Sequence, residues 1–205
     1  MAQNWQRDAT SILLGFIWRG YDLLCKEVLD KIDINQADED LERSVTQLLE
    51  PRVHRVMTGD EPFFVQHGPY EEETRHSAQA QPPVYDLAFV LRANERIKWP
   101  CEAKVLHTDG SVAEYRKAVT NEFLMCRYAP FSSQGAMLAY LFAGEPEILF
   151  TNIAAALACR LDSHPSFPQR PHRRSDHMRV VPTGKNYPRA FRCHHMVLRI
   201  GAVPG

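Results

Sequence analysis

The sequence predicts a mixed α/β fold of the α+β kind, with helices flanking a central mixed sheet in a single domain. Three observations lead there. Apolar residues recur at helical spacing near the N-terminus and again over residues 37–50. In the middle of the chain, "VYDLAFVL" and "WPCEAKVL" read as two strands around the polar turn "RANERIK". Near the end, "HMRVV" and "AFRCHHMVLRI" read as a second hairpin across "PTGKNYP".

The elements follow in order. Over residues 4–32, Ile12, Leu13, Phe16, Ile17, Leu23, Leu24, Val28 and Ile32 keep close to a helical period, with charged residues between them. Leu41, Val45, Leu48 and Leu49 form the stripe of a second helix, which Pro51 is expected to end or kink. "PFFVQH" is a strand between Gly59 and Gly68, and residues 68–83 form an acidic, proline-bounded loop. After the central hairpin, Val112, Tyr115, Val119, Phe123 and Cys126 mark a helix with Asp109 or Ser111 as its cap. "SSQGAMLAYLFAG" is a short helix or a buried strand, and "EPEILFTNIAAALACRL" a helix with Pro146 in its first turn. Residues 162–176 read as a loop. The organisation is an N-terminal helical segment (1–36), a core (37–161), and a basic loop with a C-terminal hairpin (162–205) completing the same domain.

A chain of 205 residues with 44% apolar and 24% charged residues can bury one core. No apolar run approaches the roughly 20 residues of a spanning helix, so no membrane partner is expected. The five cysteines are scattered without a paired spacing, which suits a reduced, cytoplasmic chain. The net charge of −1 hides an asymmetry: residues 1–159 carry 15 basic and 23 acidic side chains, residues 160–205 carry 9 and 2. Such a basic segment either follows a polyanion or pairs with the acidic remainder of the fold.

The central hairpin holds charges where core is expected. On a strand, Cys101, Ala103 and Val105 face one way, Glu102 and Lys104 the other. Asp86 joins the charged face if it lies opposite an even-numbered residue. Pairing 86 with 102 centres the turn on residue 94, where the turn chemistry falls; pairing with 104 centres it on 95. Two carboxylates in a partly dry site need a cation between them. A hard divalent ion takes such oxygens, and the Ala103 carbonyl could add another. Lys104 would then stand beside the attacking water.

Asp86 followed by Glu102-Ala103-Lys104 resembles the PD-(D/E)xK nuclease superfamily, with its restriction-endonuclease-like fold. The likeness covers roughly residues 37–145, and the helix pair expected after the hairpin also looks like the family's, especially "RYAPFSSQGAMLAYL". The residue before Asp86 is Tyr85, the prolines standing at 82 and 83. The family's leading helix often lends a glutamate to the metal, for which "LERSVTQLL" offers Glu42, with Glu39 as a weaker candidate. The resemblance implies Mg²⁺- or Mn²⁺-dependent cleavage of DNA, with RNA an open alternative. Asp86, Glu102 and Glu42 would hold the metal and Asp86, Glu102 and Lys104 form the catalytic set. The chain resembles the small nuclease-like proteins of prokaryotic anti-phage defence. A chain this small, without an evident recognition domain, suggests a homo-oligomer or a subunit of a multi-protein defence complex. The alternative is a non-catalytic nucleic-acid-binding or assembly module on the same fold, and a surface Glu–Lys pair is the plain reading of the E-x-K alone.

Further candidates are weaker. Arg127, with Tyr128 beside it, and Gln134 could contact nucleic acid, although a helix-end arginine and a helix start explain them equally well. Arg173 and Arg174, with Arg170, could meet phosphates from a loop. His164, His172, His177, Cys193, His194 and His195 show no regular zinc spacing, and residues 193–195 alternate across a strand. Structural or exposed histidines are the expectation.

Overall fold

A computed structural model describes residues 2–29, 32 and 36–200, with side chains from residue 9 onward. Helix α1 spans Ala2–Glu27 and α2 Asp38–Arg55, followed by strands β1 (Phe63–His67), β2 (Leu87–Leu91) and β3 (Lys98–Leu106). A helical segment, α3 (Ala113–Lys117) continued by a π-helical turn over Ala118–Phe123, leads to β4 (Gln134–Leu141) and α4 (Pro146–Leu157). The chain closes with β5 (Asp162–Ser163), β6 (His172–Met178) and β7 (Ala190–Arg199). The seven strands make one mixed sheet in the order β1-β2-β3-β4-β7-β6-β5. The β3–β4 and β4–β7 pairs are parallel; the others are antiparallel.

Alternation along the strands divides the core into two layers. Leu87, Phe89, Cys101, Ala103, Ala136, Leu138, Tyr140 and Met196 face α1 and α2. Ala88, Val90, Leu106, Met137, Ala139, Leu141 and Val197 face α3, the π-helical turn and α4. The result is a single α/β domain with helices on both faces of the sheet. The strands of the former 162–205 segment lie in the same sheet as the central hairpin.

Several local expectations are corrected. Pro51 lies within α2, which runs on to Arg55. The ring removes the N–H that would bond the Gln47 carbonyl, and on the next residue the Arg52 guanidinium donates to the Leu48 carbonyl at 2.6 Å. Residues 30, 31 and 33–35, inside the expected first helix and its linker, lie outside the described residues. Neither Asp109 nor Ser111 caps α3, whose N-cap is Val112; Asp109 instead accepts the Glu145 N–H at 3.0 Å. Gln134 opens a buried strand, not a helix. Residues 162–176 include β5 and the start of β6, because Asp162 and Ser163 pair with Arg174 and Arg173.

Candidate active site

The β2–β3 register pairs Leu87 with Cys101, and Val90 with Lys98. Continued by one residue, it sets Asp86 opposite Glu102, with the turn around Asn94. Since Ala88, Val90 and Leu106 face the α3 layer, alternation puts Asp86, Glu102 and Lys104 on that same side. Pairing with β2 ends at Cys101, while β3 continues to Leu106 against β4 alone. This leaves a stretch of bare strand edge. Two carboxylates cap its donors: Asp86 Oδ2 accepts the Ala103 N–H at 2.7 Å, and Glu42 Oε2 the Val105 N–H at 3.3 Å.

Lys104 binds the group together. Its Nζ donates to Glu42 Oε1 and Glu102 Oε1, both at 2.9 Å, and to the Ala103 carbonyl at 2.6 Å. Apart from Asp86, these three residues supply the oxygens that the sequence assigns to a metal. The ammonium takes the cation's place among them. Glu102 is 7% exposed, and its Oε2 is buried without a hydrogen-bond partner. Burial, reinforced by Asp86, pushes the Glu102 carboxyl well above the usual range, with Lys104 pulling it back. Glu42 is pushed up to about 7 by burial and then Asp86, again opposed by Lys104. Burial disfavours the Lys104 charge, but Glu102, Asp86 and Glu42 outweigh it and raise its pKa.

Above the group lies an open cleft of about 670 Å³, lined by Asp38, Glu39, Glu42, Asp86, Lys104 and Glu114 among others. An all-oxygen donor set with an orphaned carboxylate oxygen fits a hard divalent ion. Asp86, Glu102 and Glu42 would hold it. Their oxygens are not, however, drawn into one tight group. Among the described residues, the three side chains whose ligand atoms all lie within 4.8 Å of one another are His164, His172 and His194.

The other candidates are dispersed. Arg127 Nε stands 3.1 Å from Glu122 Oε2 without hydrogen-bonding geometry, and burial raises the Glu122 carboxyl. Arg173 grips Glu147 with bonds of 3.0 and 2.8 Å, reaches Ser163, and lies over the Phe150 ring. Arg170 makes a two-bond pair with Asp22. Much of the basic segment is therefore spent inside the fold. Arg174 forms no ion pair among the described residues and borders a separate pocket with Gln134, whose Oε1 meets His194 Nε2 at 3.0 Å.

Two buried supports carry no mark in the sequence: Tyr85 in the cleft wall, and Arg179, linked to it through Ala129. Tyr85, fully buried, donates to Glu71 and accepts the Ala129 N–H at 2.9 Å. Arg179, 5% exposed, donates to the carbonyls of Ala129, Ser132 and Tyr128 and lies 4.0 Å over the Phe191 ring. Burial lowers its pKa to about 10. No spacing marks an arginine whose partners are backbone carbonyls of a distant turn.

No protein-family model, curated protein or solved structure matches this chain.

Proposed function

We propose that the protein is a metal-dependent nuclease hydrolysing phosphodiester bonds, with DNA as the first substrate to try. One observation carries the reading: the β2–β3 register stands Asp86 opposite Glu102 at a bare strand edge beneath a cleft, with Lys104 on the same side. Mg²⁺ or Mn²⁺, when bound, would supply charge on the phosphate and acidify a water. Asp86, Glu102 and Glu42 serve as its oxygen ligands. Lys104, released from Glu42 and Glu102, orients the attacking water and balances charge on the phosphate. Glu39 and Asp38 at the cleft rim repel the phosphate backbone until a cation is present.

The second reading is a non-catalytic nucleic-acid-binding or assembly module. It draws on the same geometry, since Lys104 already bonds one oxygen each of Glu42 and Glu102 and the Ala103 carbonyl. Incubating plasmid DNA, and separately single-stranded RNA, with the protein and Mg²⁺ or Mn²⁺ distinguishes the two. The nuclease reading expects chelator-sensitive cleavage that is absent from Glu102→Gln. Cleavage that survives both chelator and Glu102→Gln, or no cleavage of either nucleic acid with either metal, rejects it.

A further inference from the structure

On the opposite face of the sheet, against α1, three histidines meet that no sequence spacing connects. His164 follows β5, and its N–H bonds the His172 carbonyl at 3.2 Å at the start of β6. His172 pairs with Met196 and Arg174 with His194. His172 and His194 are thus diagonal neighbours on one face, and His195 points through the sheet to Tyr115. The three rings are 5%, 1% and 2% exposed. Their centroids lie 4.5, 5.3 and 5.6 Å apart. Three imidazoles sharing one tetrahedral ion at Zn–N of about 2.0–2.1 Å would have centroids roughly 5 Å apart.

The nitrogens themselves call for a ligand. His172 Nε2 and His194 Nδ1 are both buried and lack any hydrogen-bond partner. A buried polar atom without a partner is expensive, so two in one cluster need a cause. Gln134 Oε1 accepts from His194 Nε2–H at 3.0 Å, which leaves the lone pair on the orphaned Nδ1. This is the outer-sphere support typical of metal-binding histidines. His164 Nδ1 accepts the Ser166 N–H at 3.2 Å, which places its proton on Nε2; ligation through Nε2 moves that proton to Nδ1 and gives up the Ser166 bond. Burial, then Arg174 and Arg192, lowers the His164 pKa to about 4, and burial, then the neighbouring histidines, lowers those of His172 and His194 well below their ordinary value.

A pocket of about 340 Å³ opens beside the cluster, with His164, His194, Gln134, Ser11, Ser166 and Arg174 in its wall. We propose that His164, His172 and His194 bind one divalent transition-metal ion of the zinc class, with an open fourth position facing this pocket. Three imidazoles and no carboxylate select Zn²⁺, Co²⁺, Ni²⁺ or Cu²⁺ over Mg²⁺ and Mn²⁺. Arg174 in the pocket wall, without an ion pair among the described residues, makes an anion the favoured fourth ligand, whereas Arg192 is already paired with Asp176. Ligation has a visible consequence. It moves the His172 proton to Nδ1, which ends the long 3.3 Å bond from Trp18 Nε1–H. The site is independent of the nuclease reading, as it uses other residues on the other face of the sheet.

The test uses the full chain, stripped with chelator and titrated with Zn²⁺ alone and with Co²⁺ alone. We expect one ion per chain, a raised melting temperature, a tetrahedral nitrogen-type Co²⁺ spectrum, and a change in tryptophan emission absent from Trp18→Phe. His172→Gln and His194→Gln should abolish binding; exposed His54→Gln and cleft Asp86→Ala should retain it. Gln134→Ala leaves every ligand in place and should weaken binding about 10–100-fold, so it reports even if a histidine variant fails to fold. The proposal is overturned if the parent takes up neither ion or shows an octahedral Co²⁺ spectrum. It also fails if Asp86→Ala removes the site, or if folded histidine variants bind as the parent does.

Discussion

The Asp86 carboxylate accepts the backbone N–H of Ala103 at 2.7 Å, just beyond Cys101, the last residue of β3 paired with β2. This one bond serves fold and site together. It replaces a missing ladder bond at a bare edge, and it fixes a carboxylate beside Glu102. A side chain that caps a strand edge is held still, as a metal ligand has to be.

That dual role separates two substitutions. Asp86→Asn keeps an oxygen acceptor for Ala103 and loses only the charge. It should fold with stability within about 0.5 kcal/mol of the parent and lose cleavage. Asp86→Ala orphans the Ala103 N–H and should cost about 1–3 kcal/mol. Urea unfolding of both variants checks the pair; equal stabilities would mean that the cap contributes nothing.

Arg179 is a buried cation whose three hydrogen-bond acceptors are main-chain carbonyls. Those bonds hold the turn over 128–132, where Ala129 adopts φ 50°, and Ala129 in turn bonds Tyr85, the residue before Asp86. Arg179→Met fills similar space but leaves the carbonyls without donors. We expect a loss of about 2–4 kcal/mol, since bonds to a charged group are worth about 1.5–3 kcal/mol. Chemical denaturation measures it, and a loss below 1 kcal/mol would show that water substitutes for the guanidinium.

His195 gives the fold an acid sensitivity. It is fully buried, with Tyr115 Oη 2.8 Å from its Nδ1 and Ser175 Oγ 2.7 Å from its Nε2, and Ser175 also meets His177. Burial, then His177, lowers its pKa from 6.5 to about 3. Above pH 6.5 it is neutral folded or unfolded and contributes no pH dependence. As pH falls below that value the unfolded chain binds a proton that the folded chain refuses, so stability falls until the folded pKa is reached. The full effect is on the order of 5 kcal/mol. In urea melts between pH 7 and pH 4, His195→Gln should remove up to one proton from the slope of stability against pH; an unchanged slope would place the sensitivity elsewhere.

The sequence carried the central hairpin well because turn chemistry and side-chain alternation both constrain register. With the turn at Asn94, only one pairing sets Asp86 across from Glu102, and the register is that one. The layout of α1 and α2 was equally legible from periodic apolar residues, and α4 from Pro146 in its first turn. The segment from Gln134 admits a short helix or a buried strand because "GAMLAYL" is apolar throughout, and a strand buried on both faces has no period to distinguish it. The histidine cluster was hidden for another reason. His164 and His172 meet through a loop, and His172 and His194 lie diagonally across β6 and β7, so their proximity depends on pairing that local patterns do not encode. The basic tail was visible as charge, but its partners Asp22, Glu147 and Asp176 lie far off in sequence or on the next strand.

Lys104 decides what the acidic cluster is for. Without a metal, its ammonium is the cation that lets Glu42 and Glu102 sit side by side. Lys104→Met removes that charge, so the metal-free variant should be destabilised, by about 1–3 kcal/mol after allowance for the residual exposure of the group. In the nuclease reading the same change vacates the oxygens a metal needs. Mg²⁺ or Mn²⁺ should then bind Lys104→Met at least as tightly as the parent and restore its melting temperature. Cleavage should still fall by roughly 10²–10⁴-fold, the usual effect of losing a positioned proton-transfer group. Isothermal titration with Mn²⁺, thermal melting with and without the ion, and plasmid cleavage are to be measured on one preparation. Restored stability with lost cleavage assigns Lys104 to the chemistry. If no divalent ion binds or rescues the variant, the carboxylates serve only to cap the edge of β3 and to pair with Lys104.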